Sequence, residues 1–229
     1  MFSENEIVNI KREMDKLKNK VVLKFFTDFK TRDDGTKVRT CMTCEGTYNL
    51  LKMLADYSNG KLEIEELSIG ENSEDSKKYS ITRIPTIIFI DNEGKEVIRY
   101  TATPSGAELV PFIESLQYFS GRSSFYNDTI LSNMKKIPKS DIKLFMTLRC
   151  PYCPVVIPIL NLFATLSKGK IKVEVIDADV NPDVALKYQV QGVPHTVINE
   201  KDFIYGMFTP QDLLDKLTKG QIDLGGMYA

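Results

Sequence analysis

The feature that most constrains this 229-residue chain is an internal duplication centred on its cysteines. The four cysteines, Cys41, Cys44, Cys150 and Cys153, form two Cys-x-x-Cys pairs set 109 residues apart, and no cysteine lies elsewhere. At that offset, without a gap, Ala55 falls on Ala164, Ser58 on Ser167, Gly60 on Gly169, Glu65 on Glu174, Asn72 on Asn181, Tyr79 on Tyr188 and Pro85 on Pro194. Apolar positions repeat as well, among them Leu51 with Leu160, Ile64 with Val173, and Ile84 with Val193. Upstream the offset becomes 120, aligning Ile10 with Ile130, Met14 with Met134 and Phe25 with Phe145. This leaves 11 additional residues in the first copy, within Asp28–Thr40. Downstream the offset is 106 and places Thr103-Pro104 on Thr209-Pro210. The break falls near Ser120-Gly121-Arg122-Ser123-Ser124, a turn-rich stretch, so the expected units are 1–120 and 121–229.

Each copy carries the same succession of periodicities. An amphipathic helix comes first, with Ile7, Ile10, Met14 and Leu17 in one copy and Ile130, Met134 and Ile137 in the other. Strands follow at 21–27 and 142–147, and each leads through the cysteine pair into a helix. Further strands are expected at 62–67 and 171–176, then a short polar helix, then a strand running on from Pro85 or Pro194 with a hairpin partner, and a last helix. The order β-α-β-α-β-β-α mixes parallel crossovers with a terminal hairpin. It predicts an α/β fold of two tandem units, each a central mixed β-sheet flanked by helices.

The net charge of −1 gives no reason to expect nucleic acid or an anionic membrane as partner. No apolar run approaches the roughly 20 residues needed to span a bilayer. The polar start Met-Phe-Ser-Glu-Asn-Glu does not resemble a secretory signal, so a cytoplasmic protein is expected. In that compartment paired cysteines are read as catalytic or metal-binding before they are read as staples, hyperthermophiles excepted.

A strand running straight into Cys150-Pro151-Tyr152-Cys153 is expected to place both cysteines in the first turn of the following helix. Residues i and i+3 share a helical face, and the free N–H groups and partial positive charge there favour a thiolate. Cys150, and by repetition Cys41, is then the expected nucleophile, with Cys153 and Cys44 resolving the mixed disulfide. A proline opening a strand cannot donate to the ladder, so Val193-Pro194 and Ile84-Pro85 are expected to be cis and to leave backbone free for an extended substrate.

Cys150-Pro151-Tyr152-Cys153 together with Val193-Pro194 resembles glutaredoxin and thioredoxin active sites, and Pro158 resembles the kink proline of thioredoxin. The tandem arrangement resembles the glutaredoxin-like protein disulfide oxidoreductases of hyperthermophilic archaea and bacteria. That resemblance implies two thioredoxin-like units acting on protein disulfides by reduction, oxidation or isomerisation. It implies no cofactor or metal beyond the redox disulfides, re-reduction by a thioredoxin reductase-like donor, and peroxiredoxin as a further electron acceptor. The chain departs from thioredoxin in having no Trp, and Leu144 and Gly35 stand where thioredoxin carries a buried Asp. Glu65 and Glu174, at equal positions on the neighbouring strand, are therefore the candidates for internal proton acceptor, with solvent-facing strand residues as the other reading. The Gly-Gly with which glutaredoxin holds glutathione is missing from the second unit. The Cys41-Met42-Thr43-Cys44 site, without a proline and after a longer loop bearing Lys30, Arg32, Lys37 and Arg39, is expected to differ in potential.

Other readings stay open at this level: a dedicated peroxiredoxin donor, a non-catalytic binding or chaperone module held by structural disulfides, and zinc binding by the thiolates. His195, the one histidine, is a candidate base or a packing residue.

Overall fold

The computed structural model describes residues 2–221. Met1 and residues 222–229, the outer ends of the two expected units, lie outside the described residues. The first copy contributes α1 (Glu4–Met14), β1 (Val21–Thr27), β2 (Phe29–Thr31), β3 (Lys37–Arg39), α2 (Cys44–Asp56), β4 (Leu62–Ser68), α3 (Ser73–Lys78), β5 (Thr86–Ile90), β6 (Glu96–Thr101), a 3-10 turn at Gly106–Glu108 and α4 (Leu109–Phe119). The second contributes α5 (Asn127–Asn133), β7 (Ser140–Met146), α6 (Cys153–Leu166), β8 (Ile171–Asp177), α7 (Pro182–Lys187), β9 (His195–Ile198), β10 (Asp202–Tyr205) and α8 (Pro210–Thr218). The expected succession is present in both copies.

The two copies do not keep separate sheets. Their strands join in the order β10-β9-β7-β8-β6-β5-β1-β4. The seam is a parallel pairing of β6 with β8, from Ile98 opposite Val173 to Thr101 opposite Ile176. The hairpin strand of one copy thus covers a bare edge of the other, satisfying N–H and C=O groups that a lone unit leaves open. α4 of the first copy packs on α6 of the second. Between them Asn161 donates to Tyr100 Oη at 2.7 Å and to Ser115 Oγ at 2.8 Å, in a fully buried network. Burial pushes the Tyr100 phenol well above its ordinary value, so it stays neutral.

The strand faces follow from alternation. Ile142, Leu144 and Met146 of β7 and Ile171, Val173 and Val175 of β8 meet the core shared with α1, α2, α4, α6 and α8. Phe145 and Ile176 face the other way, where α7 covers them, and Phe26 and Ile88 do the same against Tyr79 and Ile81, just after α3. β1, β4, β6, β7 and β8 all point the same way, because β1 and β6 both run antiparallel to β5. The segments that follow β1 and β7, which carry the two cysteine pairs, consequently leave the same edge of one sheet. Among the described residues no helix is long and apolar enough to cross a membrane.

The 11-residue insertion, expected as a charged loop, folds as the β2–β3 hairpin. Gly35 at φ +81° turns the chain, and Asp34 accepts from the Thr36 hydroxyl and amide. The Asp-Gly pair is a hairpin signal.

Candidate active site

Both cysteine pairs are disulfides, with Cα atoms 5.3 Å apart for Cys41–Cys44 and 5.6 Å for Cys150–Cys153. The helices begin at the second cysteine of each pair, so one expectation needs correcting. Cys41 and Cys150 lie in the turn before the helix, not in its first turn. In the second site the Cys150 amide closes that turn onto the Thr147 carbonyl at 3.0 Å. Pro151 therefore precedes the helix, and Pro154 is the proline of its first turn, where no N–H is needed. This position outside the helix aims its free donors at the first sulfur. The Cys153 amide donates to Cys150 Sγ at 3.1 Å. Cys44 and Cys153 are fully buried, while Cys41 is half-buried and Cys150 keeps 5% of its surface.

Ile84-Pro85 and Val193-Pro194 are both cis, as expected. Register places Pro85 level with Thr27, since Phe26 pairs with Thr86, and Pro194 level with Met146, since Phe145 pairs with His195. Each proline thus stands at the strand end from which its cysteine loop departs. The main chains of Ile84 and Val193 make no hydrogen bond among the described residues.

The two sites differ in charge. No acid stands in the first turn of α6, whereas α2 carries Glu45 there. A carboxylate at that point opposes a neighbouring thiolate. Arg39, at the end of the hairpin, donates to Glu45 at 2.6 Å and to both oxygens of Glu66 at 2.7 and 2.9 Å, with its guanidinium 3.8 Å from the centre of the Tyr48 ring. Arg39→Ala removes a mostly buried forked pair and leaves Glu66 without its partner. The expected loss is about 2 kcal/mol in urea unfolding. The same variant leaves Glu45 unopposed, so reduced Cys41 should alkylate more slowly with iodoacetamide at pH 7. Unchanged alkylation would show that Arg39 supports only the fold.

Glu65 and Glu174 do not occupy the place expected of internal proton acceptors. Glu65 pairs with Lys24 at 2.8 Å, and Lys24 also reaches Asp75 of α3. Glu174 accepts from Thr101 Oγ1 at 2.7 Å. Strand alternation turns both away from the helices that carry the cysteines. Besides Asp177, 3% exposed, a second buried carboxyl on the cysteine side is that of Glu108, 1% exposed, on the 3-10 turn that packs against α6. Neither of its oxygens has a partner among the described residues. Burial and then the charge of Asp177 push its pKa up to about 7. Asp177, at the end of β8, is itself raised, chiefly by burial. A sequence signal for Glu108 did exist: at the offset of 106 its counterpart is Leu214, a buried core residue.

His195 follows Pro194 on the sheet face away from α6, its ring edge-on to Phe145, Phe203 and Tyr205. Both ring nitrogens lack partners among the described residues, and burial holds the pKa below its usual value, so the imidazole is neutral packing. No group of three or more His, Cys, Asp or Glu side chains that could hold a metal occurs among the described residues.

A thioredoxin domain model matches residues 140–219. The AhpF component of the alkyl hydroperoxide reductase of Escherichia coli K12 is 26% identical over 173 residues, covering 72% of this chain and 33% of that protein. This chain spans about a third of the length of the curated relatives it matches. In structure it is similar to the NTD_N/C domain of alkylhydroperoxide reductase AhpF from Enterococcus faecalis, with a TM-score of 0.81, 20% identity, and coverage of 95% of this chain and 100% of that one. A protein disulfide oxidoreductase from Aeropyrum pernix K1 superimposes with a TM-score of 0.76 at 25% identity, covering 98% of this chain and 97% of that one. The chain thus has the fold of proteins with two thioredoxin units in tandem, each unit here holding one Cys-x-x-Cys disulfide.

Proposed function

We propose that the chain reduces disulfides in protein substrates, with Cys150 and Cys41 as the attacking thiols and Cys153 and Cys44 as the resolving ones. The observation that supports this most directly is the Cys153 amide on Cys150 Sγ at the N-terminus of α6. A donor and a helix end aimed at one sulfur stabilise its thiolate. That thiolate attacks one sulfur of the substrate disulfide. The mixed disulfide forms as the substrate S–S bond breaks, and the leaving sulfur takes up a proton. Cys153 then gives up its proton and attacks Cys150 Sγ, releasing the second substrate sulfur as a thiol. Two electrons and two protons pass to the substrate, and the chain is left with its internal disulfide. Glu108 is the carboxyl we assign to receive the Cys153 proton, because it is buried, unpaired and poised near neutrality beside α6.

The unpaired main chain at Val193 and Ile84 supports an extended polypeptide as the substrate form. Re-reduction is assigned to a thioredoxin reductase-like donor. In a test, the reduced protein should cleave the interchain disulfides of insulin, and the Cys41→Ser/Cys150→Ser variant should not. Equal turbidity from both would remove the proposal.

The likeness to the AhpF component of alkyl hydroperoxide reductase favours a second reading, in which the preferred acceptor is an oxidised peroxiredoxin. A kcat/KM at least about 100-fold higher for the peroxiredoxin than for insulin would select this reading, and comparable values would select the general one.

A further inference from the structure

The cavity beside Cys41 is not built by the first unit alone. About 240 Å³ in volume, it is walled on one side by Met42, Ile84 and Ala102, and on the other by Leu148, Val180 and Asn181 of the second unit, with Asp177 also lining it. Three of its apolar walls are open to solvent: Met42 at 93%, Val180 at 50% and Leu148 at 36% exposure. Leu148 stands two residues before Cys150. The cavity thus occupies the interval between the two dithiols, along the edge where β1, β6, β8 and β7 all end. Four strand spacings separate β1 from β7, on the order of 19 Å. The unpartnered main chain of Ile84 runs along the first-unit wall, so an extended chain pairing there has the disulfide on one side and the apolar recess ahead of it.

We propose that this cleft is a substrate subsite of the Cys41–Cys44 dithiol, shared between the two units, which takes an apolar side chain adjacent to the reacting cysteine of an extended polypeptide. The proposal rests on the reading of Cys41 as a reactive thiol. The three exposed apolar side chains gain by covering, and the Asp177 carboxylate opposes an acidic side chain entering the same recess. The second unit thereby sets the selectivity of the first unit's site. A chain seated in the recess also overlies Leu148 on the approach to Cys150, so the two sites do not hold long substrates independently.

The test uses the full chain carrying Cys150→Ser/Cys153→Ser, reduced, so that only Cys41 and Cys44 react. Its substrates are two cysteine peptides joined by a disulfide to thionitrobenzoate, differing only in Leu or Asp beside the cysteine. The leucine peptide is expected to release the chromophore at least about 10-fold faster. Adding Leu148→Lys/Val180→Lys, both at exposed positions, removes the apolar cover and offsets the Asp177 charge, and should bring the ratio close to one. Equal rates for the two peptides in the parent, which requires no surface substitution, overturn the proposal, as does a preference that survives the double substitution. No release from either peptide removes the reading of Cys41 as reactive and the proposal with it. A dimer that the double substitution dissolves, with peptide preference unchanged, assigns the cleft to a second copy of the chain and overturns the proposal as well.

Discussion

Cys150→Ser is expected to lower protein-disulfide reduction through the second dithiol by about 100-fold or more, leaving only what Cys41 supports. The expectation follows from the position of this sulfur. It is the member of its pair that retains exposure, it lies outside α6, and it receives the Cys153 amide. No carboxylate stands in the first turn of α6 to offset the helix field. A serine hydroxyl has a pKa far too high to ionise under the same influence, so attack fails at its first step. Cys153→Ser should fail differently. Cys150 still attacks once, but nothing resolves the product, and the mixed disulfide accumulates. Intact-mass measurement after incubation with a disulfide peptide separates the two cases: a one-to-one adduct with Cys153→Ser and none at this site with Cys150→Ser, each measured with Cys41 and Cys44 also replaced by serine. An adduct on the Cys150→Ser protein would reverse the assignment of attacking and resolving thiols.

Cys41→Ser should lower the total activity less than Cys150→Ser does. Glu45 stands in the first turn of α2, and the helix has no proline in that turn. Arg39 compensates the charge, at the cost of tying reactivity to the hairpin inserted ahead of Cys41. Apart from that hairpin and the 3-10 turn before α4, the two copies share one backbone plan, and the asymmetry between the sites is chemical.

Much of this was legible in the residues. Short apolar runs such as Val21–Thr27 and Thr86–Ile90 became strands with the bounds read from the sequence. The equivalence of Pro85 with Pro194 located both cis bonds relative to the cysteines. What was not legible depends on contacts between the copies. Glu96–Thr101 and Ile171–Asp177 each read as an ordinary strand, and nothing local in either names the other as its neighbour. The choice of Glu65 and Glu174 as proton acceptors followed repeat symmetry, and it failed in both copies alike, because strand alternation turns each away from the helix that carries its cysteines. Glu108 has the buried Leu214 for its counterpart, so repetition marks its position as a core position but assigns it no part in proton transfer.

Glu108→Gln is expected to raise stability at pH 8 by about 3 kcal/mol while slowing resolution at the second site. The carboxyl titrates about 7 in the folded chain and at its ordinary value of 4.5 when unfolded. Below pH 4.5 both states carry the proton, and Glu108 costs nothing by ionising. Between 4.5 and 7 the unfolded chain releases its proton first, so stability falls steadily, and above 7 the loss is complete. Glutamine cannot ionise, so the gap between the variant and the parent should open across that window and stay level beyond it. Urea unfolding at pH 4, 6 and 8 measures it. Asp177→Asn should shrink the effect, because its charge is the second cause of the raised value and burial the first. The kinetic consequence has the opposite sign. With no carboxylate to take the Cys153 proton, release of the second substrate thiol should slow and lose its inflection near pH 7, while the first attack by Cys150 is little changed. A variant that gains stability with that inflection intact would leave Glu108 a buried acid without a part in proton transfer.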